Sequence, residues 1–324
     1  MLEIYEKWPK QVGESFKLEL PKHGPGNYTK VVIVGVGGSG IVGDFLNRLS
    51  YEFQAKVPMV AVKDIDMPKK LVDKSALVIA VSYSGNTLET LTAVKEAINA
   101  KATVKGVTSG GKLKELLGRE NTIKVPGGFP PRASFPYLFI SAVRILVSEG
   151  VLDVKETTLN KASFHLDSVK SRIVNEASEL ADKLVENQPK IPVLITCRKY
   201  YPVVLRGRQE LAENAKLVSI AEEVPDAGHN ILVGYARSRV DWLVLGAFSG
   251  EKRCDTVLES FLEVQGIMNK KIILEGSNII EKMLDGAWLF GFTSVFVALK
   301  KELNPNDISD IKAYRKVLEE KFKQ

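Results

Sequence analysis

The sequence is poor in cysteine, histidine and tryptophan. Its two cysteines, Cys197 and Cys254, allow one bridge but exclude a disulfide-stapled secreted scaffold. No cluster of cysteine and histidine is present, which argues against a structural zinc. Charge of one sign is also scarce: 45 basic against 39 acidic residues give a formal charge of +6, with the two signs interspersed. No basic stripe interleaved with aromatics is present, so a nucleic-acid partner is not expected. The opening Met1-Leu2-Glu3-Ile4-Tyr5-Glu6 is amphipathic and acidic, unlike a secretory signal. The longest apolar stretch, Ala287 to Leu299, is short for a membrane span and carries Thr293 and Ser294, so it reads as a buried helix. These absences predict a cytoplasmic protein with no membrane partner. What remains is 324 residues, 45% hydrophobic, enough for two domains with good cores.

The chain is organised around Val81-Ser82-Tyr83-Ser84-Gly85-Asn86-Thr87. The preceding run, Ala76-Leu77-Val78-Ile79-Ala80, is short, aliphatic and without alternation, as a fully buried parallel strand is. The following Leu88 to Ile98 has apolar residues at helical spacing. A strand-to-helix turn points free N–H groups and the positive end of a helix dipole at one spot. Ser82, Ser84 and Thr87 add hydroxyl donors there. Such a turn holds a phosphate without a lysine or arginine of its own. One helix cap needs one hydroxyl, and this turn has three.

Strands and helices alternate on both sides of that stretch. Strands are expected at 30–34, 58–62, 76–80, 103–108 and 122–125, with helices between them, which gives an α/β, doubly wound, mainly parallel sheet. The first domain covers residues 1–150 and a polar helical linker covers 151–190. A second α/β domain, 191–324, has strands near 191–196, 218–221, 242–245 and 271–274. The C-terminal helix, from Ile308 to Phe322, returns toward the site.

Gly35-Val36-Gly37-Gly38-Ser39-Gly40 follows the first strand and fits a dinucleotide fingerprint, and Asp64 follows the next strand where a ribose-binding acid sits. A NAD-dependent dehydrogenase is therefore one alternative. Against it, Ser39 places a hydroxyl where bare backbone is usual. Two hydroxyl-bearing turns at one sheet edge instead outline a compact pocket for a small phosphorylated ligand. Arg132 sits in a loop stiffened by Pro130, Pro131 and Pro136, which can hold a guanidinium where negative charge develops. Glu213 lies near the edge of a helix's apolar face, where a partly buried carboxylate can serve as a base. His229, one of three histidines with His23 and His165, is the one placed in a turn after a strand. Taken singly, each of these three residues also reads as an ordinary surface, helix or turn side chain.

Together these pieces change the reading. Gly35 to Gly40, Ser82 to Thr87, Pro131-Arg132-Ala133, Glu213-Asn214-Ala215-Lys216 and His229-Asn230 occur in the order and spacing of one family. The chain resembles the archaeal bifunctional phosphoglucose/phosphomannose isomerases, of the phosphoglucose isomerase superfamily, along nearly its whole length. The resemblance implies two sugar-isomerase (SIS) domains and no metal or nucleotide cofactor. It implies that Ser39, Ser82, Ser84 and Thr87, with Gly38, hold the phosphate of a hexose 6-phosphate. It implies that Glu213 moves a proton between C1 and C2 and that Arg132 stabilises the enediolate. His229 would assist ring opening, reaching in from the second subunit of a homodimer. The resemblance departs at the C-terminal segment. A register anchored on Asn304-Pro305 puts Ile308 where the family has a threonine, and Arg315 where it has an active-site lysine. Ser309 or Asp307 supplies the hydroxyl's place if that register slips. A SIS protein that binds a sugar phosphate without turning it over is the further alternative.

Overall fold

The structure, a computed structural model, describes residues 1–22, 24–238 and 240–322. Two short helices, α1 (Leu2–Glu6) and α2 (Trp8–Ser15), precede the first sheet. That sheet is built from β1 (Lys30–Val34), α3 (Gly37–Glu52), β2 (Met59–Val62), β3 (Ala76–Val81), α4 (Leu88–Asn99), β4 (Thr103–Thr108), α5 (Gly111–Leu117) and β5 (Thr122–Lys124). All pairings are parallel, in the order β2-β1-β3-β4-β5. The helices α6 (Phe135–Ser148) and α7 (Glu156–Glu186) follow. A second parallel sheet comprises β6 (Ile191–Cys197), α8 (Tyr201–Ala215), β7 (Ile220–Val224), α9 (Ile231–Arg237), β8 (Trp242–Phe248), α10 (Lys252–Gln265) and β9 (Lys270–Ile273), in the order β7-β6-β8-β9. The chain ends in α11 (Ile279–Lys300) and α12 (Ser309–Lys321).

The aliphatic runs explain the layering. Every residue of β3 is buried, because both faces of the sheet are covered. Val32, Val34, Val78 and Ala80 face α4 and α5 in one apolar cluster. Val31, Ile33, Leu77 and Ile79 face α3 and α6 in another, which continues without a break into the second half of the chain. The helix α11 is long and apolar enough to cross a membrane, but 83% of its apolar window is buried inside the protein. It packs against α7 and α8 as a core helix. The stretch expected to be a polar linker is the 31-residue α7, whose Leu159, Leu166, Ile173, Leu180 and Leu184 join the same core.

Three details depart from the sequence reading. The glycine run, read above as a turn, is itself the first turn of α3, which begins at Gly37. The strand expected at 218–221 lies at Ile220–Val224. The helix α9 follows a turn where none was expected. Cys197 and Cys254, left open above, form a disulfide joining the end of β6 to α10.

The N-terminal helices belong to the core. The Trp8 ring stacks on Trp288, with centroids 6.4 Å apart, and its indole N–H donates to the Ala133 carbonyl at 3.0 Å. Trp8→Ala should therefore lower the unfolding free energy by about 3–5 kcal/mol. Urea or thermal unfolding reads this, and wild-type stability in the variant would detach α1 and α2 from the core.

Candidate active site

β1 and β3 are neighbours, but the helices that follow them leave on opposite faces of the sheet. Such a switch point opens a crevice at the carboxyl ends of the two strands. The two turns are tied across it: the Ser39 hydroxyl accepts from the Tyr83 N–H at 3.1 Å. Ser82 Oγ and Thr87 Oγ1 lie 3.1 Å apart, and Ser84 Oγ accepts from the Asn86 N–H at 3.2 Å. Thr87 is the N-cap of α4, yet its hydroxyl does not cap the helix. The first-turn N–H groups of α4 therefore keep the free donors that suit an anion. Gly85 makes the turn possible. Its φ is +67°, and a Cβ there would sit 1.9 Å from the Gly110 carbonyl oxygen. A cavity of about 240 Å³ opens beside the turn, lined by Ser84, Asn86, Thr87, Glu89, Arg315 and Glu319.

The second half of the chain fills the equivalent turn from within. By sheet order, the β8–α10 turn corresponds to the β3–α4 turn. There Asp255 fills the cradle with its own carboxylate, which accepts from Ser249 N–H at 2.9 Å and Gly250 N–H at 2.8 Å.

Arg132 comes to the crevice from the segment after β5. A Cβ on Gly38 would lie 3.3 Å from the Arg132 nitrogen, so the glycine turn and the arginine turn pack backbone to backbone. The Ala133 carbonyl accepts from Trp8 and Gln11, and the Arg132 carbonyl accepts from Arg206 at 2.6 Å. The Arg132 side chain is only 4% exposed. Its guanidinium is held at three corners: Nε donates to Asn214 Oδ1 at 2.7 Å, Nη1 to Glu213 Oε2 at 3.1 Å, and Nη2 to the Pro305 carbonyl at 2.6 Å. Glu213 and Asn214 stand in the last turn of α8 and reach across from the second half. Beneath them lies a buried polar layer. Asn214 Nδ2 donates to Glu210 and Ser294, the Tyr5 hydroxyl donates to Glu210, and Arg206 pairs with Glu210. Burial pushes the Glu210 carboxyl up, and the Arg206 charge pulls it back.

A curated bifunctional phosphoglucose/phosphomannose isomerase of Thermoplasma acidophilum is 31% identical to this chain over 90% of each. The chain belongs to the bifunctional phosphoglucose/phosphomannose isomerase family. Within that family assignment, residues 27–116 match the SIS domain model and residues 173–318 match the model of the bacterial phospho-glucose isomerase C-terminal SIS domain. A D-glucosamine-6-phosphate 4-epimerase of Sulfolobus acidocaldarius is 29% identical over 97% of each chain. Among solved structures, the C-terminal domain of glucosamine-fructose-6-phosphate aminotransferase from Francisella tularensis matches with a TM-score of 0.72 at 16% identity. It covers 95% of this chain and 98% of its own, and at that identity it speaks for the fold alone.

The structure brings Gly38, Ser39, Ser82, Ser84, Thr87, Arg132, Glu213 and Arg315 toward one crevice. It separates His229, which is exposed in the turn after β7, whereas Glu213 precedes β7. The five residues of that strand, at about 3.3 Å each, put roughly 16 Å between its ends. Of the other histidines, His165 lies against Asp285 at 3.7 Å, and His23 is outside the described residues. Asp64 caps its own turn by accepting from the Ile65 N–H. The sequence reading gave no role to Tyr5, Arg206, Glu210 or Asn214. The i, i+4 spacing of Arg206 with Glu210 and of Glu210 with Asn214 was the available signal.

Gly85→Ala should keep the fold but distort the turn, raising the KM for a hexose 6-phosphate at least about tenfold with a smaller change in kcat. Steady-state kinetics reads the split, and an unchanged KM would remove the 82–87 turn from phosphate binding.

Proposed function

We propose that this chain interconverts glucose 6-phosphate and mannose 6-phosphate with fructose 6-phosphate through a cis-enediolate. The observation that carries the reading is the Glu213 carboxylate 3.1 Å from an arginine pinned on its other corners, beside two hydroxyl-bearing turns. Ser39, Ser82, Ser84 and Thr87, with the N-terminus of α4, receive the phosphate, and Arg315 adds positive charge on its far side. Glu213 removes the proton from C2 of the aldose. The electrons left behind move onto the C1 oxygen, and Arg132 is already oriented to stabilise the resulting oxyanion. The hydroxyl proton of O2 passes to O1, the C2–O bond becomes the carbonyl, and the same carboxylate returns the proton to C1, which gives the ketose. Delivery to the other face of C2 in the reverse direction gives the epimeric aldose. Because Arg132 donates to three fixed acceptors, little reorganisation is needed as charge develops.

His229 completes the site from a second copy of the chain. Its place at the far end of β7 from Glu213 supports this arrangement, since a histidine that opens the sugar ring must reach the same substrate as the base.

Glu213→Gln should lower kcat by about 10²–10⁴-fold and abolish exchange of the C2 proton with solvent, while the phosphosugar still binds. Retained exchange would take Glu213 out of the mechanism. The same assay with D-glucosamine 6-phosphate tests the chemistry named for the Sulfolobus relative, and turnover of that substrate alone would replace the isomerase reading.

Mixing Glu213→Gln chains with His229→Ala chains should restore part of the activity that each lacks. No recovery, with subunit exchange verified by mass spectrometry, would place the whole site in one chain.

A further inference from the structure

Lys216 follows the last residue of α8 and adopts a left-handed conformation, φ 52° and ψ 36°. Few side chains other than glycine and asparagine accept that conformation readily, and here it turns the chain sharply back. It aims the ammonium at three backbone carbonyls: Glu213 at 2.9 Å, Asn304 at 3.0 Å and Asp307 at 2.9 Å. An ammonium has three N–H donors, so each is used. The first carbonyl belongs to the proposed base. The other two bracket Pro305, whose own carbonyl holds the third corner of Arg132.

The segment beyond this turn is α12, which contributes no buried residue. Apart from the Asp307 carboxylate, which accepts from the Ser309 N–H at 3.0 Å, no side-chain hydrogen bond or ion pair among the described residues joins α12 to the rest of the protein. Nonetheless Arg315 and Leu318 line the cavity beside Ser84 and Thr87. The seat of α12 therefore depends on where the 304–307 turn is held.

We propose that Lys216 is a positioning residue for catalysis: it clips the 304–307 turn to the residue that carries the base, and so sets both Arg132 and the placement of Arg315 at the phosphate end. This rests on the isomerase reading given above. A compact ammonium suits three converging carbonyls, whereas the planar fork of arginine does not, so arginine should not substitute.

The test compares Lys216→Met and Lys216→Arg with Lys312→Met, a control on the exposed surface of α12. Both Lys216 variants should melt within a few degrees of wild type, because the side chain is exposed. Their kcat on fructose 6-phosphate should fall about ten- to a hundredfold, in keeping with an ångström-scale displacement of a catalytic group. Their KM should rise several-fold, and trypsin should release the C-terminal segment faster. Lys312→Met should match wild type in all four measurements. Wild-type kcat and KM in Lys216→Met would overturn the proposal, as would full rescue by arginine. Should the wild-type chain itself be inert on hexose 6-phosphates, the isomerase reading fails separately. The clip is then judged by proteolysis, where an unchanged cleavage rate in Lys216→Met would overturn it.

Discussion

A guanidinium almost wholly removed from water, yet satisfied at every corner, governs the architecture of this protein. An unpaired charge at that depth would be prohibitively costly. Arg132 comes from the first half of the chain, and its acceptors Asn214, Glu213 and Pro305 come from the second half. The two halves therefore cannot separate without stranding the charge. A second buried arginine lies alongside. Arg206 sits over the Phe135 ring at 4.2 Å and is paired with Glu210. Two cations and two carboxylates, Glu210 and Glu213, balance at the junction. The lower pair is closed off by Tyr5 and Asn214, and the upper carboxylate keeps partial exposure, 25% for its side chain. The same cluster thus has a buried structural layer and a layer that reaches solvent.

The two sheets share a strand order around this junction but have different tasks. In the first, the hydroxyl-bearing β3–α4 turn leaves its helix N-terminus open. In the second, Asp255 occupies the matching turn. An internal carboxylate fills one cradle, and the proposed function puts the phosphate of the substrate in the other. On the proposed function, the second half supplies the base from α8 and, at the opposite end of β7, the exposed histidine.

Much of this was legible in the sequence where a signal was local. The aliphatic runs marked β1 and β3, and Ala287 to Leu299 read correctly as part of a buried helix, because uninterrupted burial leaves an uninterrupted apolar pattern. The crowding of Ser82, Ser84 and Thr87 marked the strand-to-helix turn because a single cap could not explain it. Distant pairings were not legible. Nothing adjacent to Arg132 marks it as buried, since its partners lie 81 and 82 residues away. Tyr5 is 205 residues from Glu210, and an opening helix with a tyrosine reads as an amphipathic surface. The glycine run reads as a turn in the sequence because glycine is a poor helix former. Contact with the Arg132 backbone, which leaves little room for a side chain, outweighs that propensity at Gly38.

The most direct test is a crystal structure with a five-carbon aldonic acid phosphate, whose carboxylate imitates the two oxygens of the enediolate. The account predicts its phosphate on the hydroxyls of Ser82, Ser84 and Thr87, its carboxylate against the Arg132 guanidinium, and Glu213 beside the carbon between them. A phosphate bound elsewhere, or a carboxylate out of reach of both Arg132 and Glu213, would contradict it.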